Sequence, residues 1–404
     1  MPNQYSIELQ TGKLQVSVLS AKFSLDTLLT FGSRLNPKRR FLFVSKVLGK
    51  YVPCKPSVMR ESYQAIAQQV QALADTHKTD ITNNTWVLGV AETATGLGAG
   101  VAQEVKRMSD GVADSDVIYS HTTRCSLEHR IDFSIIEEHS HAPSHLIYQL
   151  DHSLGYEEVS RVVLVDDEIS TGRTLAQLTD ELLQRLPKLT TVVWASLVNW
   201  ISTEDINKFK ASYPNISLHF CSLLYGTFEF NSNPNFTDEL PDNTATGISN
   251  MLSRADIGRV GYSMSKLPTC QFVAVADGAE QDETPVQVLT TALLDISSLD
   301  KTKRYTIIGT GEFSYQPFLF AEQLQQQGFD VLFQSTGRSP AIEDCGIASK
   351  MSRFDQGHQG VYYLYNLPED RENILCYENE QQLKHCPFKD DIKAQTVILE
   401  RFKY

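Results

Sequence analysis

The sequence lacks any run of about 18 uncharged apolar residues, so we expect no transmembrane helix and no membrane partner. Its start has neither the basic nor the apolar region of a secretory signal, which favours a cytoplasmic protein. Seven cysteines are scattered along 404 residues and none forms a Cys-x-x-Cys pair, which argues against a disulfide framework or a zinc ribbon. Basic residues are in deficit. The net charge of −13 disfavours nucleic acid as a partner, although small anions can still bind to local amides and a few cations.

The chain is long enough for two domains, because 404 residues exceed what one hydrophobic core usually organises. Short apolar runs alternate with helical patterns, which predicts βαβ units on a parallel sheet in each half. In the first half the apolar runs lie at 86–90, 117–119, 161–165 and 191–197, and the helical patterns at 58–75, 98–108 and 173–186. In the second half the runs lie at 272–275, 305–308, 331–333 and 362–365, and the helical patterns at 284–296 and 317–327. We expect an α/β domain at 1–230, a polar linker at 231–250 and a second, smaller α/β domain at 251–404.

An internal repeat is suggested by two pairs of similar segments. The segment 88–93 resembles 308–313, and each follows a strand and opens a helix. The segment 116–124 resembles 330–338 on the next strand. The second domain is therefore either a degenerate relative of the first or a case of convergent βαβ patterning. A different strand order in the two sheets would exclude the repeat.

The most informative segment is the apolar run 162–165 and the residues that follow it. The run predicts a buried strand that ends at the carboxyl edge of the sheet, where ligands bind in open α/β folds. Two neighbouring carboxylates, Asp166 and Asp167, then emerge and need cations or sugar hydroxyls as partners. The turn 170–174 places hydroxyls around a glycine at the start of a helix, which suits a phosphate. Acids for a diol just before a phosphate turn predict a site for a ribose 5-phosphate.

This segment resembles the signature of type I phosphoribosyltransferases, an apolar run followed by Asp-Asp, three residues and Thr-Gly-x-Thr. The resemblance implies a Rossmann-like parallel sheet with an N-terminal hood, expected within 1–60. It also implies a site for phosphoribosyl pyrophosphate in which Asp166 and Asp167 hold the ribose hydroxyls. The residues implied for the 5-phosphate are Ser170, Thr171, Gly172, Arg173 and Thr174. The residues implied for the leaving pyrophosphate, after the first sheet strand, are Glu92, Thr93, Ala94, Thr95 and Gly96.

A long polar stretch at 121–158 takes the place of the mobile loop that closes over pyrophosphate in this family. Arg124 lies at its start and is expected to neutralise pyrophosphate oxygens. Glu138, His139 and His141 lie within it, and the two histidines would face one way on a strand, an arrangement that suits a metal. The alternative is a solvated loop with hydrogen-bonded histidines.

From about residue 20 to its end, the chain is similar to a narrower bacterial family. These are phosphoribosyltransferases associated with tellurium-resistance gene clusters, whose C-terminal domain is named for a Thr-Arg-Ser-Pro motif. The segments that carry this likeness are 34–39, 43–50, 91–98, 137–141, 309–313 and 334–340. Gly337 stands where the naming motif has threonine, whereas Arg338, Ser339 and Pro340 match it. The likeness therefore names a fold and a donor better than an acceptor.

Further candidates lie in the expected hood and in the second domain. We expect four hood residues to contact the acceptor or pyrophosphate, with a solvated basic turn as the alternative; they are Arg34, Lys38, Ser45 and Lys46. Gly311 and Glu312 belong to a turn that could cradle a second anion or serve only to connect strand and helix. Arg338 and Ser339 follow a strand where a ligand could bind. Arg259 is a weak signal to which we assign no role.

These observations predict a phosphoribosyltransferase that uses phosphoribosyl pyrophosphate and Mg²⁺ to ribosylate a nitrogenous base or related acceptor, or runs the reverse reaction. Mg²⁺ would bridge pyrophosphate and ribose oxygens, with Asp166 and Asp167 acting on it indirectly. The alternatives are a non-catalytic regulator that binds the same donor, and an enzyme that cleaves nucleosides or nucleotides. The expected partners are the phosphorylated ribose donor, an unknown acceptor and a second copy of the chain in a homodimer.

Overall fold

The computed structural model describes residues 3–36, 38–77, 84–109, 116–127, 129–136, 144–237, 249–250, 257–266, 270–274, 292–293, 299–355, 360–379, 382–383 and 388–401. The strands up to residue 250 are β1 (Asn3–Leu9), β2 (Gly12–Ala21), β3 (Leu29–Ser33), β4 (Phe41–Ser45), β5 (Thr85–Gly89), β6 (Val117–His121), β7 (Cys125–Ser126), β8 (Ile131–Ile136), β9 (Ser144–Tyr148), β10 (Arg161–Ile169), β11 (Thr191–Asn199), β12 (Ser217–Ser232) and β13 (Ser249–Asn250). The later strands are β14 (Tyr262–Ser263), β15 (Cys270–Ala274), β16 (Ala292–Leu293), β17 (Arg304–Gly309), β18 (Asp330–Ser335), β19 (Lys350–Asp355), β20 (Gly360–Tyr365), β21 (Glu372–Tyr377) and β22 (Gln395–Arg401). The helices are α1 (Leu25–Leu28), α2 (Pro56–His77), α3 (Thr95–Met108), α4 (Arg173–Arg185), α5 (Thr203–Ser212), α6 (Ile257–Val260) and α7 (Tyr315–Gln326).

The larger sheet has eight strands in the order β1-β2-β12-β11-β10-β5-β6-β14. Its five central strands, from β12 to β6, are parallel, and the strands outside them are antiparallel. Both faces of β10 are buried, because Val163 and Val165 pack with α2 and α3 whereas Val162 and Leu164 pack with α4. Burial on both faces explains why this strand is a continuous apolar run. We call this sheet and its helices the first unit.

A second sheet has six strands in the order β16-β15-β22-β21-β17-β18, of which β22, β21, β17 and β18 are parallel. We call this sheet, helix α7 and the hairpin β19–β20 the second unit. Its helix α7 packs on α2 and α3 of the first unit, and Tyr63 and Phe318 have ring centroids 5.2 Å apart. Arg60 pairs with Glu322 of α7 at 2.7 Å and with Glu104 of α3 at 3.2 Å. One hydrophobic core therefore continues from the first unit into the second.

The N-terminal hairpin β3–β4 lies against the second unit. Arg34 forms an isolated antiparallel bridge with Ala341, and Cys54 forms another with Phe333. Leu42 shares a small apolar cluster with Ala341 and Tyr365. The hairpin that the resemblance implied as a hood is thus held between the two units.

The predicted α/β class and most of the predicted elements are confirmed. The helical pattern at 284–296 is wrong where it can be compared, because Ala292–Leu293 form a strand that pairs with Val273 and Ala274. Here pairing across a sheet prevails over a local period. Strand β12 runs to Ser232, and 238–248 lie outside the described residues, so the linker and the domain boundaries stay predictions. Among the described helices, none combines the length and the apolar character that a membrane crossing requires.

Candidate active site

One cavity of about 880 Å³ lies at the carboxyl end of β10, between the first unit, the N-terminal hairpin and the second unit. Asp166 and Asp167 line it, as does every residue of the turn 170–174. The parallel register explains the meeting of these groups with the loop after β5, because Val165 is paired with Gly89 at the same sheet edge. The twin acids, the turn 170–174 and the start of the loop after β5 therefore meet at one cavity, and their roles towards a donor stay predictions.

The turn before α4 depends on Gly172, which is the N-cap of that helix and has φ +73°. A Cβ at this position would lie 2.9 Å from both Ile201 Cδ1 and Trp194 Cζ3. A side chain is thus excluded by backbone conformation and by space. The first amides of α4 have no partners inside the helix and carry its positive dipole end. The turn can therefore hold a phosphate on the wall of the cavity.

The acidic segment is polar and crowded. Asp166 accepts a hydrogen bond from the backbone N–H of Asp167 at 2.9 Å. Burial, followed by the charge of Glu168, raises the pKa of the Asp167 carboxyl from 3.8 to about 6. Glu168 itself pairs with Arg39 at 2.6 Å, and the Arg39 guanidinium lies 4.8 Å from the centre of the Phe41 ring. The N-terminal hairpin is thereby linked directly to the acids.

The loop after β5 divides into two parts. Glu92 and Thr93 line the cavity, and the Ala91–Glu92 peptide is cis. Ala94, Thr95 and Gly96 do not line it, because they form the buried start of α3. The hydroxyl of Thr95 donates to the Glu312 carbonyl at 3.0 Å instead.

Three buried or partly buried cations line the cavity near this loop. Lys50 lies 3.6 Å from Glu92 Oε1 and donates to the carbonyls of Gly311 and Thr336 at 2.6 and 3.1 Å. Burial lowers the pKa of the Lys50 ammonium, and Glu92 opposes that shift. The guanidinium of Arg124 bonds to His145 at 3.1 Å. Arg338 completes the set from the second unit.

The lining is more basic than the protein as a whole. Seven cations line the cavity against five carboxylates, in a chain whose net charge is −13. The cations are Arg34, Lys38, Arg39, Lys50, Arg124, Arg173 and Arg338. An excess of cations in a concave, low-dielectric site favours an anionic ligand.

Several candidates from the sequence lie elsewhere. Arg34 and Lys38 line the cavity, but Ser45 and Lys46 do not; Lys46 donates to the Asp26 carbonyl at 2.6 Å. Strand β4 lines the cavity with its first three residues, 41–43, and Ser45 and Lys46 lie beyond them. The hood prediction is therefore wrong for these two.

The turn at Gly311 and Glu312 is not an anion cradle. Its Gly311 carbonyl accepts from Lys50, and the Glu312 carboxylate is buried against Thr123, the Arg124 backbone and Arg259. A buried carboxylate repels an anion, so the anion-cradle alternative is wrong. The second-unit residues that line the cavity are Gly337, Arg338, Ser339 and Tyr365. Glu138, His139 and His141 lie outside the described residues. Among the described residues no cluster of three or more His, Cys, Asp and Glu is arranged to hold a metal.

Sequence reasoning assigns no role to Lys50, Arg39 or Arg259. Lys50 belongs to segment 43–50, one of those that carry the likeness to the narrower family, which was the available signal. Arg39 lies in the basic stretch beside two residues that were chosen. Arg259 is 1% exposed and pairs with two glutamates, a burial that no local pattern indicates.

The chain is similar to several solved structures at low identity. Adenine phosphoribosyl transferase from Trypanosoma brucei, solved with AMP, pyrophosphate and ribose-5-phosphate, has 14% identity and a TM-score of 0.31, covering 49% of this chain and 77% of that chain. The Giardia lamblia APRTase has 13% identity and a TM-score of 0.31, covering 51% and 98%. The hypoxanthine-guanine phosphoribosyl transferase of L. donovani has 13% identity and a TM-score of 0.26, covering 43% and 81%. No curated protein matches the sequence.

Two family models match consecutive parts of the chain. The model described as phosphoribosyl transferase matches residues 28–227, which hold the acids, the phosphate turn and the loop after β5. The model of the TRSP domain, which lies C-terminal to that transferase, matches residues 276–389. The chain therefore belongs to the phosphoribosyl transferase family that carries a C-terminal TRSP domain, and it is a glycosyltransferase-type enzyme.

Proposed function

We propose that the enzyme transfers a phosphoribosyl group from phosphoribosyl pyrophosphate to a nitrogenous acceptor with release of pyrophosphate, or catalyses the reverse. The observation that carries this proposal is the order of groups along one cavity. The phosphate turn at Gly172 is followed by Asp166 and Asp167, and the loop at Glu92 with its cations lies across the sheet edge. A 5-phosphate, a diol and a pyrophosphate follow the same order along the donor.

The reaction builds positive charge on the ribose ring and negative charge on the pyrophosphate as the bond at C1 breaks. Asp166 and Asp167 would stabilise the sugar side, and Lys50, Arg124 and the loop amides would stabilise the leaving group. These groups are fixed before the reaction, so little reorganisation is needed when the charge develops. Above its pKa of about 6 the Asp167 carboxyl is ionised, and both of its oxygens can then accept hydrogen bonds from ribose hydroxyls.

The residues present fit Mg²⁺ bound mainly through the substrate. This ion keeps several waters and is usually held by one or two carboxylates together with phosphate oxygens. Asp166 and Asp167 supply such carboxylates on the cavity wall. Bound there, Mg²⁺ would neutralise charge on the pyrophosphate.

The acceptor side of the cavity is aromatic. Phe41, Phe43 and Phe228 line it, and the rings of Phe43 and Phe228 lie 5.2 Å apart. Flat apolar walls favour a planar heteroaromatic acceptor. Arg34 and Lys38, which also line the cavity, would contact polar substituents of that ring or the pyrophosphate. A cytoplasmic location and a homodimer remain part of this proposal.

Calorimetric titration of phosphoribosyl pyrophosphate with Mg²⁺ tests donor binding. We expect binding to the wild type, and a loss of about tenfold or more in affinity for Asp167→Asn and for Thr171→Ala. The first variant removes the charge that would face the ribose hydroxyls, and the second removes the hydroxyl that would face the 5-phosphate. Thr203→Ala, at an exposed threonine, is the control. Unchanged affinity in both site variants would remove these residues from the donor site.

Turnover is tested by pyrophosphate release in the presence of purine and pyrimidine bases. Release that depends on a base supports the transferase. Tight donor binding without turnover for any acceptor would favour a regulatory protein. Release of a base from a nucleoside without added pyrophosphate would favour a nucleoside-cleaving enzyme.

A further inference from the structure

The two units share the order of their first four parallel strands. Starting from the strand after the first helix crossover, the first sheet reads β6-β5-β10-β11-β12 in parallel, followed by antiparallel β2 and β1. The second sheet reads β18-β17-β21-β22 in parallel, followed by antiparallel β15 and β16. Each has an antiparallel hairpin between its second and third strands along the chain, β8–β9 in one and β19–β20 in the other. Outside this common set the sheets differ. The first has two more strands, parallel β12 and antiparallel β14. The antiparallel pairs at the far edge lie in opposite chain order, because β2, the second of its pair, adjoins the parallel strands in one sheet and β15, the first of its pair, adjoins them in the other.

Hydrogen bonds around the first crossover are repeated as well. The Thr122 N–H donates to the Gly89 carbonyl at 2.9 Å, and the Thr336 N–H donates to the Gly309 carbonyl at 3.0 Å. The Thr122 hydroxyl accepts from the Ala91 N–H at 2.9 Å, as the Thr336 hydroxyl does from the Gly311 N–H. These matching contacts give pairs of equivalent positions in the two units, namely Gly89 and Gly309, Ala91 and Gly311, and Thr122 and Thr336.

A bridge to the inserted hairpin fixes the next equivalent pair. Thr123 forms an antiparallel bridge with Leu146 of β9, and Gly337 forms one with Tyr363 of β20. Thr123 therefore corresponds to Gly337. The residues that follow them, Arg124 and Arg338, correspond in turn.

Strand register identifies an acid at the equivalent position of the second unit. Leu88 pairs with Leu164 in the first sheet, and Ile308 pairs with Leu375 in the second. Asp167 and Glu378 each lie three residues beyond the paired leucine.

In the described part of the second unit, this equivalent acid does not face a donor site. The terminal nitrogens of Arg259, Nη1 and Nη2, donate to the Glu378 carboxylate at 3.0 and 3.1 Å, and its Nε donates to Glu312 at 3.0 Å. Glu378 is fully buried and Arg259 is 1% exposed. The position at which a metal ion or a ribose diol would meet the Glu378 carboxylate is therefore occupied by the Arg259 guanidinium.

We propose that Arg338 is a pyrophosphate-binding residue of the first unit's cavity, supplied by the second unit as the counterpart of Arg124. Both arginines line the one cavity. A Cβ at Gly337, next to Arg338, would lie 3.6 Å from Glu92 Oε1, which places this segment beside the pyrophosphate loop. This inference rests on the proposed function, because it assigns one end of the same donor.

Arg338 is held in place by Tyr362. Its Nε donates to the Tyr362 hydroxyl at 2.9 Å, and its guanidinium carbon lies 5.3 Å from the centre of that ring. A guanidinium fixed along one edge loses little entropy when its other edge binds an anion. Arginine can also contact two phosphate oxygens at once. The site would therefore be incomplete without the second unit.

The test compares three probes on the full chain: magnesium pyrophosphate, ribose 5-phosphate and phosphoribosyl pyrophosphate with Mg²⁺. For Arg338→Met we expect pyrophosphate and donor affinity to fall about tenfold or more, the effect of losing one charge-assisted contact. Ribose 5-phosphate affinity should stay unchanged. Arg353→Met removes an exposed arginine of the same unit, paired with Asp391, and should leave all three affinities unchanged.

The outcomes separate the two proposals. Equal pyrophosphate affinity in the wild type and Arg338→Met overturns the role of Arg338, whatever the donor does. If the wild type binds pyrophosphate but neither ribose 5-phosphate nor the donor, the proposed function fails while the Arg338 result still stands. If Arg338→Met does not fold, Tyr362→Phe provides the test, because it keeps the ring and removes the hydroxyl that holds Arg338. A weaker affinity for pyrophosphate, with ribose 5-phosphate unchanged, then supports the role, and no change overturns it.

Discussion

The carboxylate of Glu312 in the second unit accepts a hydrogen bond from the backbone N–H of Arg124 in the first, at 2.8 Å. Its other oxygen accepts from the Thr123 hydroxyl at 2.5 Å and pairs with Arg259 at 3.0 Å. Burial alone would raise the pKa of this carboxyl, but Arg259 and His121, with these hydrogen bonds, lower it to about 2. The second unit thereby positions the backbone that carries a cation of the active site.

Glu312→Gln should destabilise the protein at pH 7. The substitution keeps the shape but leaves buried Arg259 with one carboxylate fewer, and breaking a buried pair costs about 3 kcal/mol or more. Denaturant unfolding measures the loss, and Glu369→Gln at an exposed site is the control. The folded pKa is lowered, so the stability due to Glu312 is present above its usual pKa of 4.5 and is lost as the pH falls towards 2. A difference between the variants that did not shrink over this range would contradict the assignment.

Asp167→Asn should make the empty protein more stable at pH 7. The pKa of Asp167 is raised from 3.8 to about 6 in the folded protein, so the carboxyl is easier to bury when it is protonated. The stability of the wild type is therefore highest below pH 3.8 and falls as the pH rises through 6 and the group ionises. A gain of about 1–3 kcal/mol at pH 7, fading towards pH 4, corresponds to a shift of this size. Unfolding by denaturant at several pH values measures it, with Asp390→Asn at an exposed site as the control. Equal stability of Asp167→Asn and wild type at pH 7 would disprove the burial cost.

Gly172→Ala should lower both stability and ribose 5-phosphate affinity. The left-handed conformation costs a residue with a Cβ about 1–2 kcal/mol, and the contacts with Ile201 and Trp194 add to it. Gly328→Ala is a matched control, because Gly328 has φ +89° and its Cβ would meet nothing within 4 Å. Thermal unfolding and phosphate titration should therefore show a larger effect at Gly172. Equal effects would mean that crowding of the turn is unimportant.

Gly337→Thr should stabilise the contact between the two units. Gly337 corresponds to Thr123, whose hydroxyl donates to Glu312, and a threonine at 337 would place a hydroxyl near Glu92. A hydrogen bond to a charged group contributes about 1.5–3 kcal/mol at most. Replacing glycine by any residue with a side chain also makes the unfolded chain less flexible, which stabilises the fold. Gly337→Ala has this effect without the hydroxyl and is therefore the control. The idea fails if the threonine variant unfolds at the same denaturant concentration as the alanine variant.

Sequence reasoning identified the groups that are close together along the chain. Asp166 and Asp167, the turn with Gly172 and the strand before them could be predicted because motif spacing and apolar runs depend on neighbouring residues. The similarity of 88–93 to 308–313 correctly indicated a local likeness, since Thr122 and Thr336 make the same contacts after these segments, but the two sheets differ in strand order. The function of Ser45 and Lys46 was mispredicted because the direction of a hairpin edge depends on what the hairpin packs against.

By itself, then, the sequence determined the α/β class, the acids, the phosphate turn and the family that they indicate. Only the tertiary structure decided that Lys50 and Arg338 enter one cavity, and that Glu312 supports Arg124 across a separation of 188 residues. The physical reason is that these contacts form when two sheets bury a common core around α2, α3 and α7. Burial of that kind depends on the whole surface removed from water, and no local period or spacing encodes it.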